Sequence, residues 1–148
     1  GAHLFHTKYD LVWKYVLRYD TWMKYEHKVM GFVDDLFVPI PANIETVNTL
    51  IINNKSNYID NVKDMNIWLH NNQLKLNESD IKNSEEMAKT RVGDKLFYKL
   101  FNEYTYKQWN KYPKDLKPEV LKRIPVRNDW DERYFPNDKF QFIPKYGF

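Results

Sequence analysis

Apolar residues return along this chain at spacings that predict a small set of elements. Over residues 9–27, Val12, Trp13, Val16, Leu17, Trp22 and Met23 recur at helical intervals, which predicts one amphipathic helix, with a break near Asp20-Thr21, packed on a sheet. Val29–Val33 and Leu36–Ile40 then flank Asp34-Asp35 and predict a hairpin, although Asp-Asp is a weaker turn pair than Asp-Gly because neither residue escapes the steric cost of positive φ. Pro39 and Pro41 should stop the second strand, since proline offers no N–H to a ladder.

Asn43 stands where it can cap a helix running through Val47, Leu50 and Ile51. A second helix is expected over about 59–69, with Val62, Met65 and Ile67 as its apolar positions, and the stretch 71–83 is polar and irregular. Ser84 followed by Glu85 and Glu86 reads as a further helix start, with acids in the first turn favoured by the helix dipole, and Gly93-Asp94 should break that helix and begin the next. The next helix, about 95–109, spaces Phe101, Thr105 and Trp109 by four and sets Tyr104 three after Phe101, so one stripe gathers three aromatics and a hydroxyl. A stripe of this kind is most often core; it also suits a binding face, and spacing alone leaves both open. Beyond it, Pro113, Pro118 and Pro125 punctuate a basic segment holding Lys122, Arg123 and Arg127, which is expected to be mobile over about 115–126 without a ligand, and the tail reads as extended strands turning at Asn137-Asp138.

Composition narrows the class. A chain of 148 residues, 43% of them hydrophobic, closes one ordinary core and is too short for two full domains. No apolar run approaches the roughly 18 residues of a membrane span, and Gly1-Ala2-His3 lacks a signal-peptide pattern, so a soluble chain with no membrane partner is expected. Without cysteine there is no disulfide framework or thiolate metal site, which suits the reducing cytoplasm. The formal charge of +3 comes from lysines scattered among acids rather than gathered in a block, so nucleic acid is not an expected partner. The aromatic share, 17% with eleven tyrosines, exceeds what a core alone demands and suits stacking on bases and sugars. The chain has no glycine-rich phosphate loop among its four glycines, no HExxH pair among His3, His6, His27 and His70, and no GxSxG elbow. No metal is expected. The residues by themselves therefore give an α+β domain with an aromatic and basic groove.

Four segments go further: Gly1-Ala2-His3-Leu4-Phe5-His6-Thr7, Pro41-Ala42-Asn43, Tyr104-Thr105-Tyr106-Lys107-Gln108-Trp109, and Arg123-Ile124-Pro125-Val126-Arg127 followed by Tyr134-Phe135. In order and spacing they resemble the bacterial-type UDP-galactopyranose mutases, and Gln141-Phe142-Ile143-Pro144 extends the likeness to the tail. The pairing of YTxKQW with RIPVR fourteen residues after its tryptophan is the most specific element; residues 52–84 carry the least. The resemblance implies an α+β fold that is mainly a helical bundle with a small antiparallel sheet, part of the mutase substrate-binding region. It divides into a histidine loop, helix and hairpin (1–43), a bundle carrying the YTxKQW helix (44–116), and a mobile basic loop with antiparallel strands (117–148).

In that family a GxGxxG unit holding FAD precedes this region and the chain later returns to it, so an excised fragment or a truncated protein is expected here, inactive alone and without bound FAD. The implied reaction is the interconversion of UDP-galactopyranose and UDP-galactofuranose, for surface glycan synthesis, with reduced flavin as the nucleophile at the anomeric carbon. UDP-galactose or UDP is the implied partner, and a homodimer is open for the parent enzyme. By the same resemblance Tyr104 stacks on the uracil, Phe101 and Asn43 line the base pocket, Thr105 adds a polar contact, and Trp109 packs near the diphosphate or sugar. Arg123 and Tyr134 correspond to diphosphate ligands, Arg127 to a support of the loop, and His3 and His6 to the residues that approach the flavin. No residue of the region is implied to be catalytic. Against these roles stand ordinary ones: bundle core for Tyr104 and Trp109, solvated terminus for His3 and His6. The chain departs from the family pattern at Ala42, Glu103, Phe142 and Tyr146-Gly147-Phe148, and 134–141 is one residue longer. A non-catalytic sugar-nucleotide binding module and a nucleic-acid domain are the alternative functions.

Overall fold

The computed structural model describes residues 4–122 and 126–147. In chain order the elements are β1 (Phe5–Thr7), α1 (Asp10–Val16), β2 (Trp22–Lys24), β3 (Val29–Val33), β4 (Leu36–Ile40), α2 (Ile44–Val47), α3 (Val62–Asn72), α4 (Ser84–Leu96), α5 (Glu103–Trp109), α6 (Glu119–Lys122) and β5 (Phe140–Pro144). The class is α+β as expected, mainly helical with a small antiparallel sheet. Among the described residues no helix is long and apolar enough to cross a membrane. The chain forms two compact units, residues 1–29 with 131–148, and residues 30–130.

In the first unit β5 is the middle strand of an antiparallel sheet ordered β1-β5-β2, with Phe5 opposite Phe142 and Trp22 opposite Pro144. The helix α1 lays Trp13 on this sheet, stacked at 4.0 Å on Phe142 and 5.4 Å on Phe140, with Trp22 edge-on at 6.0 Å. Aromatic rings thus supply the core of a small sheet that has few aliphatic residues to offer. The helix expected over 9–27 ends at Val16 instead, and Trp22 and Met23 are strand residues. Their helical spacing is overridden by pairing with β5, the middle strand, whose second edge needs a partner for its N–H and C=O groups. Trp22 also donates its indole N–H at 3.3 Å to the Val16 carbonyl, which accepts the Tyr19 N–H as well at the end of α1.

In the second unit β3 and β4 form the expected hairpin, and Asp34 (φ 50°) and Asp35 (φ 61°) both take the left-handed conformation that a two-residue turn of this hand requires. Asp34 meets the Lys99 ammonium, which helps hold the turn. As expected β4 covers Leu36–Ile40; it runs through Pro39, which is buried, and ends before Pro41. In a two-stranded ribbon each strand is an edge, where a residue without an N–H is tolerated.

Among the described residues, four helical segments of this unit are capped by an asparagine side chain. Asn43, Asn54, Asn61 and Asn83 each accept a backbone N–H from Thr46, Ser56, Asp64 and Glu86 respectively. At α2 the cap is reciprocal, since the Thr46 hydroxyl also receives the Asn43 N–H at 3.2 Å. The cap of α4 is therefore Asn83, and Ser84 is a buried first-turn residue that donates its hydroxyl to the Lys117 carbonyl at 2.5 Å. With α3 starting at Val62, Met65 and then Trp68 and Leu69 face the core, and Ile67 falls on the outer side, half exposed. The core joins Ile44, Val47 and Leu50 to Met65, Val92, Leu96, Phe97 and Leu121. Each such side chain removed from water stabilises the unit by about 1.5 to 3 kcal/mol before chain entropy is counted. Of the polar side chains buried here, Asn48 ties the chain to Ile59, donating to its carbonyl and accepting its N–H, both at 2.9 Å.

Candidate nucleotide-binding site

Gly93 breaks α4 as expected, with φ 76° and ψ 172°, and the chain resumes as helix up to Trp109. Residues 97–102 follow a wider turn of the π type, and α5 carries on from Glu103. The single stripe drawn from regular spacing is split by this geometry. Phe101 and Thr105 face inward, 7% and 1% exposed, whereas Tyr104 and Trp109 stand on the surface, 57% and 51% exposed. In a regular helix Tyr104 would already lie about 60° round from Phe101; the wider turn advances less per residue and leaves it farther from the core line.

Among the described residues of this unit, two buried side-chain polar atoms have no partner. Asn43 is fully buried; its carbonyl oxygen takes the Thr46 N–H at 3.0 Å, but its amide nitrogen is unmatched. The Thr105 hydroxyl, on the residue after Tyr104, is equally buried and equally unmatched. A buried polar atom without a hydrogen bond costs on the order of 1 to 3 kcal/mol, so two at positions singled out by the motifs call for an explanation.

The basic segment comes back to the same region. Val126 bridges to Ala42, and the Arg127 N–H donates to the Ala42 carbonyl at 2.8 Å, one residue before Asn43. Arg127 forks onto Asp129, with Nε and Nη2 each 2.9 Å from a carboxylate oxygen, while the Asp129 carbonyl accepts the Ile44 N–H. This places Arg127 in a supporting position beneath the start of α2. On the other side Leu121 is buried, and Phe101, Leu121 and Val126 line one small cleft with Arg91. Arg123 and His3 lie outside the described residues.

In the other unit Tyr134 is part-buried, its N–H donating to the His27 carbonyl at 2.8 Å and its ring edge-on to His27 and Phe135. The loop it sits on is knitted by Gln141, which takes the His27 N–H and donates to the carbonyls of Phe135 and Asp138. His6 stacks on Phe135 at 3.8 Å, and its Nδ1 lies 2.5 Å from Asp138. The His27 Nδ1 is buried without a partner.

Sequence reading passed over Lys89 and Arg91. Lys89 is largely buried and gathers Glu85 at 2.7 Å, Asp94 at 2.8 Å and the Tyr98 hydroxyl at 3.1 Å, over the rings of Phe97 and Tyr98. Burial pushes its ammonium toward neutrality, but the bonds from Asp94, Glu85 and Tyr98 outweigh that and hold it above the ordinary lysine value. Burial lowers the Arg91 guanidinium, whose Nη1 donates to the Lys122 carbonyl at 2.7 Å. The Glu85-Lys89 spacing was the available signal; the partners beyond the break at Gly93 were not visible in it.

The chain is similar to sugar-nucleotide mutases. The chain is 34% identical over 148 residues to a probable UDP-galactopyranose mutase of Klebsiella pneumoniae, and 32% identical over 153 aligned residues to a dTDP-fucopyranose mutase of Escherichia coli. Each alignment takes in the whole of this chain, which spans 37% of the length of each relative. The family model that matches is that of UDP-galactopyranose mutase, over residues 99–148, the stretch holding YTxKQW, RIPVR and Tyr134-Phe135. The resemblance read from the motifs is thereby upheld.

Proposed function

We propose that this chain supplies the nucleotide grip of an FAD-dependent mutase that interconverts UDP-galactopyranose and UDP-galactofuranose, acting within a polypeptide of the relatives' length. The observation that carries the reading is that Asn43 and Thr105 each bury an orphaned polar atom, and that Thr105 follows directly on the exposed Tyr104. A pyrimidine base offers what these groups lack: a flat face for Tyr104, a carbonyl for the Asn43 amide, and polar edges for the Thr105 hydroxyl. Phe101 forms the apolar wall. Because Asn43 and Thr105 are buried, admitting a base requires the cover around Phe101 and Leu121 to part.

Arg123 falls between Leu121 and Val126, both of which touch the Phe101 cleft. The resemblance gives Arg123 the diphosphate, since a guanidinium can hold two of its oxygens at once and offset the charge that gathers on UDP as it leaves the sugar. Tyr134 would donate its hydroxyl to the same diphosphate, Trp109 would cover the sugar, and His3 and His6 would meet the flavin. FAD, when bound, supplies the nucleophile that exchanges with UDP at the anomeric carbon. The protein's part is to orient, shield and neutralise.

The test uses the polypeptide as its gene encodes it, with FAD and dithionite, on UDP-galactofuranose, followed by chromatography. Conversion to UDP-galactopyranose is expected, with none from the 148-residue chain alone. Calorimetry with UDP and dTDP runs alongside, since a relative is named for a dTDP sugar. Nucleotide binding without FAD or turnover would favour the non-catalytic binding module; no binding of either nucleotide would end the reading.

A further inference from the structure

The helical limb carrying Tyr104 and Trp109 leaves α4 at an angle, and three sets of contacts fix that angle. From α3, the Asn72 backbone stands so close to Gly93 that a Cβ there would lie 2.3 Å from its carbonyl oxygen. From the chain just after α3, the Leu74 N–H donates to the Lys89 carbonyl and Gln73 Nε2 to the Arg91 carbonyl, both at 2.9 Å. These are carbonyls of the last turn before the break, where a helix leaves acceptors open. Across the break, Lys89 bonds Glu85 on the first limb and both Asp94 and Tyr98 on the second.

We infer that Lys89 is a positioning residue for the base-stacking face, setting the direction of residues 94–109 and thus where Tyr104 stands. The inference rests on the reading of Tyr104 given above. The pair Glu85-Lys89 lies on one limb, is a weak i,i+4 contact, and can orient nothing beyond its own helix. Asp94 and Tyr98 belong to the other limb, and only a donor with several N–H groups at the end of a long stem can reach both sides together. A hydrocarbon in its place would still cover the Phe97 and Tyr98 rings, but it would not tie the limbs.

A double-mutant cycle on UDP affinity, in the polypeptide as encoded, separates positioning from bulk stability. Lys89→Met and Tyr104→Ala should each weaken UDP binding about tenfold, and the double variant should bind about as weakly as Tyr104→Ala alone, because Lys89 acts through that ring. Losses that multiply to about a hundredfold, or a Lys89→Met protein that binds like the parent, overturn the inference and leave the base-stacking reading standing. Tyr104→Ala binding like the parent overturns both. Should Lys89→Met fail to fold, Asp94→Asn takes its place in the cycle: it weakens the tie from an exposed position on the second limb, and the same non-additivity is expected.

Discussion

Replacing each described glycine by alanine should produce three different outcomes. At Gly93 the backbone (φ 76°, ψ 172°) lies in a region that only glycine occupies comfortably, a strain of about 1 to 3 kcal/mol for alanine. The new methyl would also meet Asn72 O at 2.3 Å and Asn72 C at 2.8 Å, backbone atoms that cannot rotate away, so α3 and α4 must separate. Overpacking of that kind costs about a further 1 to 3 kcal/mol. The sum, about 2 to 6 kcal/mol, is a large part of the 5 to 15 kcal/mol typical of a domain. Gly147 has φ 90° but nothing within 4 Å of an added Cβ, so only the strain remains, about 1 kcal/mol or less so near a terminus. Gly31 has ordinary φ and meets Ile40 side-chain atoms at 3.4 Å; alanine there should be neutral or stabilise by up to about 1 kcal/mol through the unfolded chain. Urea titration of the three variants, read by tryptophan fluorescence and far-UV circular dichroism, measures the order. A Gly93→Ala protein no less stable than Gly147→Ala would refute the close approach of α3.

Further predictions concern single side chains. Tyr104→Ala should weaken UDP binding by about 1 to 3 kcal/mol in calorimetry while leaving the urea midpoint unchanged, because the ring is mostly in solvent. Asn48→Ala should cost about 2 to 4 kcal/mol, since it strands both the N–H and the carbonyl of Ile59; a loss below about 1 kcal/mol on urea titration would contradict the bidentate contact. Lys89 is more basic folded than unfolded, so its contribution is whole below about pH 10.5 and drains as pH rises past it. The stability gap between the parent and Lys89→Met should therefore be constant from pH 7 to 9 and narrow above that value, and a gap that widened there would have the sign wrong.

Local chemistry was legible wherever it acted alone. The hairpin about Asp34-Asp35, the Asn43 cap and the break at Gly93 follow from residue types whose preferences nothing in the fold opposes. Periodicity failed where a ladder or a widened turn intervened. Trp22 and Met23 kept helical spacing with α1 but were taken by β5, and the Phe101-Thr105-Trp109 stripe was split by the wide turn before Glu103. Both outcomes depend on partners distant in sequence, which no window of a dozen residues contains. At the candidate site the motifs located Asn43, Tyr104 and Thr105, but not that two of them are buried with unmatched atoms, nor that Lys89 spans the break.

The asparagine caps carry a consequence for the protein in acid. An amide oxygen accepts the same hydrogen bond at any pH, whereas an aspartate at those positions would weaken as an acceptor once protonated. The starts at Asn43, Asn54, Asn61 and Asn83 are therefore blind to acidity, and each helical segment should begin at the same residue however sour the medium becomes.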